Sequence, residues 1–119
     1  MAEPHAIERG DLFRVTFRGR GHQVDGPHYA VVVSDEPYNW LSTVVVVPFS
    51  SSARPAPWRV EVMLEGSLTR ALIEQVAAVD VTWLQQKLGS LAGSAAMNAI
   101  DEQLAQLLAL DYLARPSAP

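Results

Sequence analysis

The chain has 119 residues, a formal net charge of −4 at neutral pH, 49% hydrophobic residues and no cysteine. This length and composition predict one globular domain with its own core, and the acidic balance is not that of a general nucleic-acid-binding protein. The lack of cysteine excludes disulfides, Cys-bearing metal sites and thiol nucleophiles. No signal-peptide pattern precedes residue 12 and no apolar run approaches the roughly 18 residues of a membrane span, which together predict a cytoplasmic protein without membrane contact.

The first half of the chain predicts three short strands. After a flexible tail over residues 1–8, residues 10–18 alternate between apolar and polar side chains, which is typical of a half-buried strand. Residues 28–35 and 41–50 contain runs of valine without alternation, which is typical of strands covered on both faces. The segment 19–27 is rich in glycine and therefore predicts a loop.

The second half continues with strands and ends in a helix. Residues 58–64 alternate again, and residues 70–80 predict a fifth strand, although their alanines and leucine leave a helix open. Residues 81–91 are interpreted as a short helix followed by a short strand. Residues 94–114 show apolar side chains at helical spacing, with Ser94 as a plausible N-cap.

These elements predict a mainly β domain with a long C-terminal helix. About five antiparallel strands would curl into a small SH3-like barrel over residues 9–114, with the helix on its flank or open end. No repeat or linker indicates a second domain, and residues 115–119 are expected to form a flexible tail.

Five segments in this order resemble the MazF/PemK family of type II toxin–antitoxin endoribonucleases. The segments are RGDLFRVTF, GPHYAVVVSDEPYN, LSTVVVVPFSSS, LIEQVAAVD and the closing KLGSL with IDEQLAQLLAL, which together extend from about Arg9 to about Asp111. The resemblance implies a CcdB/PemK-like barrel, a homodimer, and cleavage of single-stranded RNA at short motifs without metal or cofactor. It also implies a cognate antitoxin whose acidic or amphipathic tail occupies the RNA groove.

The chain departs from the family pattern at several positions. The arginine and proline of the family's Gly-x-Arg-Pro segment align with His28 and Tyr29, and the arginine of its Glu-Gln-Ile-Arg segment aligns with Ala77. The acidic residue of the family's first loop aligns near Gln23. The family's catalytic threonine or serine aligns with Ser50, which keeps a hydroxyl group.

The resemblance makes His28 and Ser50 the candidate catalytic residues. Cleavage through the ribose 2′-OH needs a base, a group that stabilises charge on the phosphate, and an acid for the departing 5′-oxygen, and it leaves a 2′,3′-cyclic phosphate and a 5′-OH. An imidazole suits the acid or base role because histidine titrates near neutral pH. The alternatives are a polar strand-end histidine and an ordinary loop serine.

The candidate RNA-binding residues are cations and hydrogen-bonding groups near the predicted loops. Arginines suit phosphate contacts because the guanidinium donates two hydrogen bonds at once, tyrosine can stack on a base, and Gln75 either contacts a base or makes a buried hydrogen bond. Each arginine taken singly could equally be an ordinary surface residue. The set comprises Arg18, Arg20, His22, Tyr29, Ser51, Arg54 and Gln75.

The sequence therefore favours an RNA-cleaving toxin of a toxin–antitoxin pair. One alternative is a degenerate family member that keeps the barrel and the antitoxin groove without cleaving RNA. Another is a CcdB-like toxin that binds DNA gyrase, but that group relies on a tryptophan near its C-terminus and this chain has none after Trp83. The scattered carboxylates do not predict a metal site.

Overall fold

The computed structural model describes residues 6–110, which form seven strands, three 3-10 helices and one α-helix. The strands are β1 (Asp11–Phe17), β2 (Gly26–Val32), β3 (Thr43–Ser50), β4 (Glu61–Leu64), β5 (Ser67–Ala71), β6 (Ala77–Asp80) and β7 (Leu84–Ser90). The 3-10 helices are Tyr38–Trp40, Ile73–Gln75 and Val81–Trp83, and the α-helix α1 is Ala95–Leu107.

All strand pairs are antiparallel and form one curled sheet in the order β4-β5-β3-β2-β1-β7, with β6 paired to β3. The predicted fold class, mainly β with a C-terminal helix, is confirmed. The number of strands is seven rather than about five, because the segment 70–80 is divided between β5 and β6 and the short strand predicted within 81–91 extends over Leu84–Ser90 as β7.

A tight turn joins β4 to β5, and a break in the 70–80 segment separates β5 from β6. Leu64 pairs with Ser67, so Glu65 and Gly66 form a two-residue hairpin loop, and both have positive φ (49° and 81°) as a type I′ turn requires. The chain then enters the 3-10 helix Ile73–Gln75, which separates β5 from β6. The predicted strand 58–64 begins only at Glu61.

The strand β3 changes partners along its length. Its first half pairs with β6 and its end pairs with β5, while its other edge pairs with β2. Pro48 lies where the partner changes, and its carbonyl accepts a hydrogen bond from the Leu72 N–H at 2.8 Å. Since proline has no N–H, no backbone donor is left without a partner at this break.

Apolar side chains lie on both faces of the sheet, as predicted for the valine-rich strands. Val44 and Val46 belong to one buried cluster, whereas Val31 and Val47 belong to the second, which also packs against α1. Ile7 is buried in the first cluster, so the packed part of the chain begins within the segment predicted as a tail over 1–8. Residues 1–5 of that tail, and the tail predicted over 115–119, lie outside the described residues.

The helix α1 is shorter than the predicted 94–114. The Ser94 hydroxyl accepts a hydrogen bond from the Met97 N–H at 3.0 Å, which confirms the predicted N-cap. The helix ends at Leu107 in a Schellman motif, in which Ala109 has φ of 56° and the Leu110 N–H reaches the Ala105 carbonyl at 2.7 Å. Residues 111–114 lie outside the described residues, and within 6–110 no helix is long and apolar enough to cross a bilayer.

Candidate functional site

A pocket of about 250 Å³ opens where β2 and β3 separate, and we call it the histidine pocket. The β2–β3 ladder ends at the pair Ala30 and Pro48, after which the end of β3 pairs only with β5. The gap lies beside the start of β2, the end of β3 and the β4–β5 hairpin. The side chains that bear on its chemistry are Arg14, His28, Tyr29, Ser50, Ser51 and Ser52.

His28 is fixed in this gap by a hydrogen bond to the main chain. Its Nδ1 lies 2.8 Å from the Phe49 carbonyl oxygen, at the point where a continued ladder would place a backbone N–H. A carbonyl only accepts, so Nδ1 carries the proton and the neutral ring keeps Nε2 as its acceptor. The edge of the half-buried ring also meets Phe17, with ring centroids 6.0 Å apart. The imidazole is therefore oriented, and one nitrogen remains free to exchange a proton.

The three serines form a hydroxyl-bearing turn at the end of β3. The Ser50 Oγ lies 3.2 Å from the Ser52 Oγ and accepts a hydrogen bond from the Ser52 N–H at 3.3 Å. Ser50 is half-buried, whereas Ser51 and Ser52 are exposed. The turn thus places Ser50 and Ser51 in the same pocket as His28.

Arg14 and Tyr29 form one wall of the histidine pocket. They are directly opposite in the β1–β2 ladder, and the Arg14 guanidinium carbon lies 5.7 Å from the centre of the Tyr29 ring. The Tyr29 hydroxyl donates a hydrogen bond to Glu65 at 3.0 Å. This bond, with partial burial and the Glu65 charge, raises the pKa of Tyr29, although the Arg14 charge opposes the shift. The hydroxyl consequently stays protonated at neutral pH.

A second cavity of about 370 Å³, which we call the tryptophan cleft, lies between β6 and the loop after β1. Arg18 and Gln75 line it, and the Arg18 guanidinium carbon lies 6.0 Å from the centre of a Trp83 ring. Phe17 lines the cleft and contacts His28, so its ring lies between the two cavities. Six of the predicted site residues therefore line these two cavities: four line the histidine pocket, and Arg18 and Gln75 line the tryptophan cleft.

Gln75 joins the loop 19–27 to the 3-10 helix that contains it. Its Nε2 donates to the His22 carbonyl at 3.0 Å, and its Oε1 accepts from the Val24 N–H at 3.3 Å. Both ends of the amide are engaged within the chain. This geometry matches the hydrogen-bonding alternative for Gln75 better than a direct base contact.

The remaining predicted RNA-binding side chains lie on the surface beside the cavities. Arg20, His22 and Arg54 are exposed and line neither the histidine pocket nor the tryptophan cleft. The Arg54 carbonyl accepts a hydrogen bond from Arg59 at 2.9 Å, so this loop is held in place by an arginine that sequence reasoning did not select. Within residues 6–110 no three histidine or carboxylate side chains converge on a possible metal position.

Arg14 is the residue of the histidine pocket that sequence reasoning missed. Its position on the polar face of an alternating strand resembles that of any solvent-facing arginine. The β1–β2 register places it opposite Tyr29, and only the folded structure shows that it lines the same pocket as His28. The sequence did not reveal the register of the β1–β2 hairpin, because the long glycine-rich loop 19–27 between the two strands does not determine which residues pair.

Comparisons with known proteins find the same fold and identify the family of the chain. Residues 8–108 match the model of the PemK-like, MazF-like toxin of type II toxin–antitoxin systems. A candidate toxin of Mycobacterium tuberculosis, Rv3098A, is 40% identical over 80 residues, which cover 66% of this chain and 74% of the relative.

Solved structures show the same fold at lower identity. MazF from Deinococcus radiodurans has a TM-score of 0.75 and 22% identity, covering 87% of this chain and 96% of that one. An endoribonuclease from a mycobacterial species, solved with its cognate antitoxin, has a TM-score of 0.71 and 24% identity, covering 88% and 97%. The curled sheet with its C-terminal helix thus defines a MazF-like fold. The chain belongs to the PemK/MazF-like toxin family of type II toxin–antitoxin systems.

Proposed function

We propose that the protein is the toxin of a toxin–antitoxin pair and acts as a metal-independent endoribonuclease on single-stranded RNA. The observation that carries the proposal is the orientation of His28. Its Nδ1 is fixed to the Phe49 carbonyl, which leaves Nε2 as the proton acceptor in a pocket that also contains the Ser50 hydroxyl.

The proposed reaction is an internal transfer at phosphorus. His28 accepts the proton of a ribose 2′-OH, the 2′-oxygen bonds to the adjacent phosphorus, and the bond from phosphorus to the 5′-oxygen breaks. The 5′-oxygen takes a proton from water and the proton on His28 returns to the solvent, which leaves a 2′,3′-cyclic phosphate and a 5′-OH. The Ser50 hydroxyl donates a hydrogen bond to the phosphate as its negative charge increases.

The RNA chain would extend from the histidine pocket toward the tryptophan cleft, because Phe17 lines the cleft and its ring contacts the His28 ring of the pocket. Exposed cations near both cavities supply the phosphate contacts that single-stranded RNA needs. Gln75 contributes by holding the loop that carries two of them. The proposed RNA-binding set is Arg18, Arg20, His22, Tyr29, Ser51, Arg54 and Gln75.

The proposed partners follow the family. Similar structures include a mycobacterial endoribonuclease with its cognate antitoxin and MazE–MazF complexes of Deinococcus radiodurans. We infer that this toxin forms a homodimer in the cytoplasm, where mRNA is its substrate, and that an antitoxin tail competes for the same groove. No cofactor enters the proposed reaction.

The test uses purified protein, a long single-stranded RNA and EDTA. Wild-type protein should produce fragments with cyclic-phosphate and 5′-OH ends, and His28→Asn should lower the rate at least about 10²-fold. The asparagine amide can still donate to the Phe49 carbonyl but cannot exchange a proton at neutral pH, so the fold is kept while the chemistry is lost. Ser50→Ala should cost about 10-fold or more.

Two results would count against the proposal. Turnover of His28→Asn at the wild-type rate would remove His28 from the chemistry. A wild-type protein that leaves RNA intact in EDTA while binding an antitoxin tightly would favour the degenerate family member instead.

A further inference from the structure

We propose that Arg14 is the phosphate-binding cation of the histidine pocket, and that Tyr29 and Glu65 hold its guanidinium in position. The inference rests on the proposed RNA cleavage, and it assigns the stabilisation of charge on the phosphate to a strand that the sequence did not single out.

The position of Arg14 is determined by the β1–β2 ladder. Arg14 is opposite Tyr29 and the next residue, Val15, is opposite His28. Successive side chains of a strand point to opposite faces, so Arg14 and His28 approach the histidine pocket from different faces of the ladder. Both line that pocket, and Arg14 does so from a strand rather than from a loop. A cation placed on a strand keeps its geometry during a reaction better than one placed on an exposed loop.

The other arginine beside the site is already engaged. Arg70 is opposite Ser50 in the β3–β5 ladder, but its guanidinium donates to Glu61 at 3.0 Å and to the Ala53 carbonyl at 2.9 Å. The ion pairs found within residues 6–110 do not include Arg14, which is exposed to solvent at the pocket. Within residues 6–110 the recorded partner of the Arg14 guanidinium is the Tyr29 side chain, so this exposed group keeps further N–H donors for a phosphate.

Tyr29 and Glu65 restrict where the Arg14 guanidinium can go. The Arg14 guanidinium lies over the Tyr29 ring, and the Tyr29 hydroxyl is held by Glu65 from the β4–β5 turn. Glu65 has a left-handed backbone conformation, with φ of 49°, which a residue with a side chain adopts at a cost. The three side chains form a chain of contacts from the turn to the pocket, so the ring is a fixed platform for the cation.

An arginine at this position suits the proposed transition state. Its planar guanidinium can donate two parallel hydrogen bonds to the non-bridging phosphate oxygens. Donors aimed at the oxygens that gain charge typically change turnover by about 10²–10³-fold when they are removed.

The first experiment measures cleavage by Arg14→Gln and Arg14→Lys. Arg14→Gln should lower kcat/KM about 10²-fold, and Arg14→Lys should recover only a part, because an ammonium group does not form the bidentate contact. Lys87→Gln is the control: it removes one positive charge from the neighbouring strand β7, where Lys87 pairs with Asp11, and should retain the wild-type rate. Equal rates for Arg14→Gln and wild type would overturn the inference.

The second experiment tests whether Tyr29 acts through Arg14. Tyr29→Phe keeps the ring but loses the bond to Glu65, and should lower kcat/KM by about 5–10-fold in the wild-type background. The same change in the Arg14→Gln background should have little further effect, because the two residues act as a unit. Fully additive effects would show that Tyr29 does not position the arginine.

The third experiment separates this inference from the proposed function. A single-stranded oligonucleotide without 2′-hydroxyls can bind but cannot be cleaved by this reaction. The salt dependence of its binding constant therefore measures the phosphate contacts, independently of cleavage. Arg14→Gln should reduce the slope of log K against log salt by about 0.7, the value for one phosphate contact of a single strand. A reduced slope in a protein that does not cleave RNA would support Arg14 and refute the nuclease, whereas an unchanged slope, or no binding by the wild type, would refute Arg14.

Discussion

The amide of Gln75 illustrates how a residue near a site can act without touching a ligand. It donates to the His22 carbonyl and accepts from the Val24 N–H, so it satisfies two main-chain groups of a loop that has little regular structure. A single side chain thereby fixes the loop that carries Arg20 and His22 beside the tryptophan cleft.

We predict that Gln75→Ala loosens this loop. Loss of both hydrogen bonds should cost about 1–2 kcal/mol of unfolding free energy and should speed amide hydrogen exchange at Val24. Gln86→Ala, an exposed glutamine on β7, should change neither quantity. If Gln75→Ala abolished RNA binding with no change in exchange or stability, a direct base contact would be the better explanation.

The sequence predicted the half of the histidine pocket that is local in the chain. His28 and Tyr29 are neighbours in β2, and Ser50 and Ser51 are neighbours at the end of β3, so motif resemblance was enough to select them. Arg14 and Glu65 were missed because Arg14 lines the pocket from β1 and Glu65 contacts Tyr29 from the β4–β5 turn. Their contacts depend on register and on a turn conformation, which local patterns specify weakly.

In the β4–β5 hairpin, the residue with the strained backbone, Glu65, is also the hydrogen-bond acceptor for Tyr29. The turn of this hairpin needs two residues with positive φ. Glycine occupies only the second of these positions, as Gly66, and Glu65 occupies the first. Asparagine tolerates this conformation better than glutamate, and Asn-Gly is the preferred pair for the turn. The glutamate is thus a poorer turn residue that provides the acceptor for Tyr29.

We predict that Glu65→Asn stabilises the protein while slowing catalysis. Relief of the backbone strain should raise Tm by about 2–5 °C, and loss of the acceptor should lower kcat/KM several-fold if Tyr29 positions Arg14. Thermal unfolding followed by circular dichroism and the RNA cleavage assay measure the two effects. Glu65→Gln, which keeps the strain, should leave Tm almost unchanged; a similar rise in Tm for both variants would contradict the strain argument.

The element that sequence reasoning placed least well is the segment 70–80. Its apolar content is that of one strand, but Ile73 turns inward within a 3-10 helix and is buried, so the chain changes direction between two partners of β3. Composition cannot reveal such a break, since the same buried residues suit a strand or a tight helical turn. The strands with stronger patterns were predicted over 10–18 and 41–50, and these bounds are close to the observed ones.

At the scale of the molecule, ion pairs connect segments that are distant in the chain. Arg9 pairs with Asp101 and donates to the Val33 carbonyl at 3.1 Å, which ties α1 to the sheet. Arg59 pairs with Glu74 at 2.6 Å. Burial raises the pKa of Glu74, but the hydrogen bonds and charge of Arg59 outweigh it, so the pKa of this carboxyl lies below its ordinary value of 4.5.

We predict that this pair adds stability only above acidic pH. Because the folded-state pKa of Glu74 is lower than the unfolded value, the folded protein binds fewer protons, and the stabilisation is full above about pH 4.5 and is lost as the pH falls through the folded pKa. Glu74→Gln should therefore be less stable than wild type at neutral pH by up to about 1 kcal/mol, and the gap should be smaller at an acidic pH below about 4.5. Urea unfolding at both pH values measures it, and a constant gap would contradict the assignment.

Phe17 has a consequence for how the two cavities communicate. Its ring is a wall of the tryptophan cleft and touches the imidazole in the histidine pocket. Any molecule that displaces this ring from one side changes the space on the other, so the two occupancies share a coupling free energy. Linkage requires that coupling to be reciprocal: a ligand in one cavity that strengthens binding in the other is itself bound more tightly by the same factor, and a ligand that weakens binding in the other is weakened equally.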